Sequence, residues 1–530
     1  MTSSSFVTSS ELHARLTGCG EFALLDVRDT TDLVDEGALL LAIHVPLSEL
    51  PRQAPLLVPR RGTPVAVLDR DGGALAERGR RILVRLGYGD VRVVQGGVRA
   101  WQAAGHATYA SSYIFGLAFA TFLERVRPTP HVNAPELDAW LKRADAPLVL
   151  DTRAPSEAAV RSLPGAVQAT GADTVRLALA HVADPQRAIV VHCAGYTRSI
   201  TAAQGLRDAG LPNPVHLLRD GTKAWQLAGL PFVQGGHEPL PAAHPRLPQA
   251  DAQEAAAARA LRARFGVEAV DTEALARLDA EAPQRSTFFL DIRSAEEAAI
   301  APLAGFRSVP HEGIWPWTPR HVGVLRARIV LGDSAPGLRA ASIAAWLRRQ
   351  GWDEVFVHLR GPAPAASVRA APAEAAYTPG TTVVVRNEDL RSDDVLADVS
   401  PSAQYARGHV PGARLVTQAR LPELAAAFPG RRLVLTAPTQ RQAEEAVLDF
   451  GATAGAPPLA VLAGGNAGWA AAGRLQERGT LGAFGPVRDA VAEKWDAPDW
   501  RERFLALMAW EHTLPQQIAA DDTLPFRDFP

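Results

Sequence analysis

A chain of 530 residues is longer than one hydrophobic core can organise, so several domains are expected. With 47% hydrophobic and 21% charged residues it has the composition of a folded globular protein, and a formal net charge of −2 recommends neither nucleic acid nor an anionic membrane as a partner. Two cysteines, Cys19 and Cys193, exclude a disulfide framework and fit a reducing compartment.

The first residues, 1–6, lack the basic and apolar regions of a signal peptide, and the longest apolar run, 113–123, is too short to span a bilayer. No membrane association is expected, and the expected location is cytoplasmic.

One unit recurs along the chain. Its first mark is a strand ending in an acidic residue: Leu24-Leu25-Asp26-Val27-Arg28, Leu148-Val149-Leu150-Asp151-Thr152-Arg153, Phe288-Phe289-Leu290-Asp291-Ile292-Arg293 and Val395-Leu396-Ala397-Asp398-Val399-Ser400. Its second mark closes three of the copies: Gly96-Gly97 before Trp101, Asp220-Gly221 before Trp225, and Gly464-Gly465 before Trp469. Short apolar strands alternate with helical stretches in each copy, the pattern of a parallel sheet covered on both faces. The expected fold class is therefore α/β, with four tandem units.

The first copy spans 8–106. Ser9 or Ser10 is expected to cap a helix containing Leu12 and Leu16, and the strand Val65-Ala66-Val67-Leu68 runs into Asp69. Cys19, in a Gly-Cys-Gly turn, reads as structural. A connector, 107–129, carries a helix over 113–126 that is expected to pack domains together. The second copy spans 131–234 and contains Cys193. A semi-rigid linker over 235–253, with Pro239, Pro241, Pro245 and Pro248, precedes a helical run, 255–265. The third copy, 267–361, places Asp333 where the second has its cysteine and lacks the closing Trp. Its Trp315-Pro316-Trp317 reads as a core corner. An Ala/Pro-rich linker, 362–379, leads to the fourth copy, 380–475, with Ala437 at the same place. The tail, 485–530, carries Trp495, Trp500, Phe504, Trp510, Phe526 and Phe529, and a helix over 499–512 is expected to dock on a neighbouring domain.

Chemistry concentrates in Ile189-Val190-Val191-His192-Cys193-Ala194-Gly195-Tyr196-Thr197-Arg198-Ser199. A buried β-branched strand delivers a cysteine to its C-terminal end, and an Ala-rich helix is expected to open at about Ser199. A loop curled between strand and helix turns successive amide N–H groups toward one spot, and the helix N-terminus and Arg198 add positive charge. Such a pocket lowers a thiol's pKa and makes Cys193 a candidate nucleophile, a reading that requires a thiol open to solvent with those amides around it.

This loop resembles the active-site loop of rhodanese-type sulfurtransferases, as do the Asp-x-Arg after a strand, the Gly-Gly or Asp-Gly turn before a helical Trp, and Gly408-His409-Val410-Pro411-Gly412-Ala413. Cys-based phosphatases share the design but place five residues between Cys and Arg, where this loop has four, Ala194, Gly195, Tyr196 and Thr197. The resemblance implies a ping-pong transfer in which Cys193 takes a sulfane sulfur from thiosulfate or another persulfide-type donor and passes it to cyanide, a thiol or a sulfur-acceptor protein. Ala194, Gly195, Tyr196, Thr197, Arg198 and Ser199 would bind the transferred sulfur, Ser199 more simply capping the helix. Asp151 and Arg153 would brace the sheet. Glu157 departs from thiosulfate-type tandem enzymes, which commonly carry Arg there, and this argues against thiosulfate as the natural donor. By analogy with tandem relatives the first copy should wall the Cys193 pocket, with the third and fourth forming a silent pair. No cofactor or metal is expected: His311 and His512 lack ligand partners in sequence, and no Gly-rich nucleotide loop is present. A Cys-dependent phosphatase or arsenate reductase and a non-catalytic sulfur-sensing scaffold are the alternatives.

Overall fold

The computed structural model describes residues 5–235, 246–315, 317–360, 382–490 and 498–529. Most of the linker expected at 235–253, all of that at 362–379, Pro316 and Trp495 lie outside the described residues. Where the chain re-enters after the first linker, the helix Ala250–Phe265 starts earlier than its apolar pattern suggests.

The chain builds four five-stranded parallel sheets with one shared strand order. In the second copy that order is His131–Val132, Val215–Leu218, Ile189–His192, Leu148–Asp151, Ala166–Gln168. Strands such as Leu148–Asp151 and Ile189–His192 are buried at every position, because helices cover both faces and leave no reason for polar residues to alternate. Chain connections diverge between these two strands. The crevice beyond their carboxyl ends is therefore a topological switch point, where such sheets place their ligands.

Register makes the copies comparable residue by residue. His192 pairs with Asp151, Leu68 with Asp26, Gly332 with Asp291 and Thr436 with Asp398. The next residues, Cys193, Asp69, Asp333 and Ala437, thus occupy one structural position.

Two compact units result, and they are not the ones expected from chain order. The first copy joins the fourth in one unit, and the second joins the third, the connector helix Ile114–Val126 and the C-terminal tail in the other. A buried ion pair joins corresponding helices in each unit. In the first, Arg78 of Ala74–Arg85 meets Asp449 of Gln440–Gly451 at 2.6 Å, with Gln418 donating to the same carboxylate at 2.9 Å. In the second, Arg349 of Leu338–Arg349 donates to Asp208, the last residue of Thr197–Asp208, at 3.1 and 3.3 Å; both side chains are almost wholly buried. Arg264 and Gln204 bind the same aspartate, at 3.2 and 2.8 Å. Close packing follows the charges: a Cβ added to Gly205 would lie 3.3 Å from Trp346.

Local expectations mostly hold. Thr8, not Ser9 or Ser10, caps the first helix, because its hydroxyl and Glu11 form a reciprocal capping box. Cys19 is exposed in the bend after Gly18. Trp315 is buried against Trp346 and Phe119, as a core corner should be. The tail helix is Trp500–Glu511. Among the described residues no helix is long and apolar enough to cross a membrane.

Candidate active site

Cys193 follows the strand Ile189–His192, and the helix Thr197–Asp208 begins four residues later. That start is two residues earlier than Ser199, so Arg198 and Ser199 fall in the first turn, whose N–H groups have no intrahelical acceptor. Ser199 is not the cap. Tyr196 occupies that position without a side-chain bond, and the Ser199 hydroxyl donates to the Tyr196 carbonyl at 3.2 Å and lies 3.5 Å from Cys193 Sγ. Ser199 is therefore in contact with the sulfur.

Arg198 is held by a bidentate pair with Glu157, with Nη2 to Oε1 at 3.0 Å. Burial alone would push this guanidinium's pKa down, but the hydrogen bond and charge of the Glu157 carboxylate, with Asp151, push it up, so Arg198 stays charged. Burial raises Glu157 in turn, and the bond to Arg198 brings it below the usual carboxylate range. Tyr196 sits beside Thr121 and Glu124 of the connector helix. Burial, reinforced by the charges of Glu124, Glu511 and Asp220, pushes its phenol up to about 12, so it remains neutral.

Asp151 and Arg153 form a buried clamp at the strand end. Arg153 donates to Asp151 through Nε at 3.0 Å and Nη2 at 2.6 Å, and to the Arg161 carbonyl at 2.7 Å, fully buried. The same clamp recurs as Arg28 on Asp26 and Arg293 on Asp291. The fourth copy has Ser400 in place of the arginine, and there Asn466 donates to Asp398 at 2.8 Å instead.

The Asp-Gly turn also has a physical explanation. Asp220 and Gly221 both have left-handed φ of 55°, and a Cβ on Gly221 would lie 2.2 Å from the Cys193 carbonyl oxygen. The turn packs directly under the cysteine loop and binds it: Thr222 N donates to Cys193 O at 3.0 Å and Lys223 N to Ala194 O at 3.2 Å. Gly97 and Gly465 lie equally close to the loops of Asp69 and Ala437.

Two residues at the site carry no sequence signal that singles them out. Lys223, in the helix Gly221–Leu227, reaches back over the loop, where its Nζ would lie 2.7 Å from a Cβ on Gly195. There it pairs with Glu511 of the tail helix at 3.1 and 3.2 Å, both side chains buried. Burial raises the Glu511 pKa and Lys223 pulls it part of the way back. His512 follows with Nε2 3.4 Å from Asp220. Lys223 belongs to the repeated closing motif, which is a signal of position; Glu511 could not have been found from spacing. Under this cover Cys193 is 2% exposed, so the thiol is enclosed rather than open to solvent as the sequence reading requires.

The copies without a thiol show what the loop can hold. Asp69 accepts from the amides of Asp71, Gly72 and Ala76 at 3.1, 2.5 and 2.9 Å. Asp333 accepts from the amides of Ser334 and Ala340 at 2.8 and 3.1 Å and from Arg339 at 2.8 Å, while Arg339 also pairs with Glu297. At this strand end, amides converge on a negative group.

The Rhodanese-like domain model matches residues 8–104, 133–228 and 385–472. The third copy lies outside those matches but has their strand order. Among solved structures, a thiosulfate sulfurtransferase from Pseudomonas aeruginosa is 33% identical, covers 99% of this chain and 100% of its own, and superposes with a TM-score of 0.86. A rhodanese-related protein from Thermoplasma volcanium is 24% identical over 20% of this chain and 97% of its own, with a TM-score of 0.18. The Alr3790 protein from Anabaena is 28% identical over 19% and 81%, also at 0.18. No curated protein matches. With three matches that together take in more than half of its length, the chain belongs to the rhodanese-like domain family.

Proposed function

We propose that the protein is a rhodanese-type sulfurtransferase with one reactive centre per chain, Cys193. The Cys193 thiolate attacks the outer sulfur of a sulfane donor, thiosulfate or a persulfide. The donor's S–S bond breaks, the leaving group departs with the electron pair, and Cys193 keeps the sulfur as a persulfide. A nucleophilic acceptor, cyanide in an assay or a thiol or sulfur-acceptor protein, attacks the terminal sulfur and regenerates the thiolate. No external oxidant or reductant enters. Loop amides of residues 194–199 stabilise the terminal sulfur, joined by the Ser199 hydroxyl once its one proton turns from the Tyr196 carbonyl to the sulfur, and Arg198 steers the anionic donor. The enclosed position keeps bulk water from the persulfide. Asp69, Asp333 and Ala437 offer no sulfur nucleophile, so their copies are catalytically silent.

The observation that carries this reading is the internal one. At the position of Cys193, two sister loops bind a carboxylate through their amides, which offset part of the burial that raises both carboxyls. Four residues between Cys193 and Arg198 make a ring tighter than a phosphatase loop. The test is intact mass after exposure to thiosulfate or a small persulfide. One added sulfur on the loop peptide is expected, with thiocyanate formed on adding cyanide, and neither in Cys193→Ala. Phosphate-ester hydrolysis without persulfide would replace the reading by the phosphatase one.

A further inference from the structure

Around Cys193 the described cations are already matched by carboxylates. Arg198 is engaged by Glu157 through both guanidinium nitrogens of its fork. Lys223 is engaged by both oxygens of Glu511. Asp220 lies one turn away, with a mostly buried side chain facing His512. Formal charge over the loop is thus not positive, although two cations stand there. Glu511 is the member of this set that belongs neither to the second copy nor to its motifs: the C-terminal helix Trp500–Glu511 carries it in, to within 3.7 Å of where a Gly195 Cβ would be. A Coulomb interaction scales with the product of the charges, so a neutralised cation penalises a dianion twice as much as a monoanion.

We infer that Glu511 is a specificity-determining residue: by holding Lys223 neutralised over the Cys193 loop, the C-terminal helix tunes the site to sulfane donors of low charge, organic persulfides, over dianionic thiosulfate. The inference rests on the sulfur-transfer reading and names the donor class of that site. Lys223 is the positioning partner, since its backbone fixes the loop at Ala194 while its ammonium supplies the charge that Glu511 cancels.

The experiment measures second-order rate constants for loading of Cys193 in the full chain, by rapid quench and intact mass, with two donors: thiosulfate and hydroxyethyl persulfide. In Glu511→Gln, which keeps the shape and removes the charge, loading by thiosulfate is expected to rise about tenfold and by the persulfide about threefold, the difference fading in high salt. Lys223→Gln should shift the ratio of the two constants the other way, and the double variant should return it near the wild-type value. An unchanged ratio in Glu511→Gln, or an equal fall with both donors, overturns the assignment and makes the contact a packing one. If neither donor loads the wild-type chain, the sulfur-transfer reading fails and takes this inference with it; if both load and the ratio does not respond, only the assignment of Glu511 falls.

Discussion

The second and third copies are packed in one unit and differ at the point where the chemistry would happen. Both end the strand beside an Asp-x-Arg clamp, Asp151 with Arg153 and Asp291 with Arg293. Both send an arginine from the first turn of the next helix to a glutamate, Arg198 to Glu157 and Arg339 to Glu297. In the third copy Asp333 fills the anion position with its own carboxylate and draws Arg339 onto it at 2.8 Å. In the second, Cys193 presents sulfur, and Arg198 has no carboxylate of its own loop to bind. The third copy is thus a filled version of the same loop. An anion cradle alone gives no catalysis; it needs an atom that can form and break a bond to sulfur.

The largest effect should come from exchanging that atom. Cys193→Ala should reduce thiocyanate production by at least about a thousandfold, since no other described residue at the site is a nucleophile for sulfur. Adding Asp333→Cys to that variant should restore uptake of one sulfur, now on the third-copy loop, at a low rate, because that copy lacks the Asp-Gly turn and Lys223. A double variant that folds and takes up nothing would break the comparison.

Next is the joint between the two copies. Asp208 closes the helix that follows the Cys193 loop and pairs with Arg349, whose side chain is 0% exposed. Asp208→Ala would leave that guanidinium to Asp528 alone, 3.0 Å from its Nη1, and would take the same partner from Arg264; a cost of about 3 kcal/mol, the low end for a broken buried pair, is expected, read as an early unfolding step in urea. Asp208→Ala with Arg349→Met should recover much of it. A loss confined to the single variant would locate the effect in the unpaired charge rather than the cavity.

A smaller, local effect belongs to the turn that the third copy lacks. Gly221→Ala meets both a left-handed φ, worth about 1–2 kcal/mol, and the Cys193 carbonyl at 2.2 Å. The loop must shift, and sulfur loading should fall about tenfold or more while far-UV circular dichroism is unchanged. Loading at the wild-type rate would mean that the turn does not position the cysteine.

What the sequence discloses about this pair of copies follows from distance along the chain. Cys193, Asp69, Asp333 and Ala437 are readable as one position because strand, acidic end and loop are contiguous, and the parallel register carries the alignment. Asp151 and Arg153 are readable as a brace because a single residue, Thr152, separates them. The fourfold α/β fold is legible for the same reason. The partnership of copies is not: it rests on Asp208 meeting Arg349 and Arg78 meeting Asp449, single charged residues on helices whose patterns look alike in every copy. Lys223 and Glu511 meet across 288 positions, a contact that leaves no period or motif. Ser199 was misread as a cap because a serine near a helix start usually is one, yet the helix begins two residues earlier and turns that hydroxyl toward the sulfur.

The smallest effect should be pH-dependent and lies in a second contact between the same two copies. Asp173, which opens the helix Asp173–His181, has its carboxylate 3.4 Å from His311 Nε2 of the third copy and 3.0 Å from Arg176 Nε. Burial works to raise its pKa, but the hydrogen bond and charge of His311, with Arg176, outweigh that and hold it at about 2, against an ordinary 3.8. The folded state therefore binds the Asp173 proton more weakly than the unfolded chain does. Its stabilisation is present above pH 3.8 and is lost as pH falls through about 2. Asp173→Asn should accordingly cost on the order of 2 kcal/mol at neutral pH, and the gap between variant and wild type in urea should stay level down to about pH 4 and close below it. A gap that is the same at pH 3 as at pH 7 would show that shape, not charge, joins Asp173 to His311.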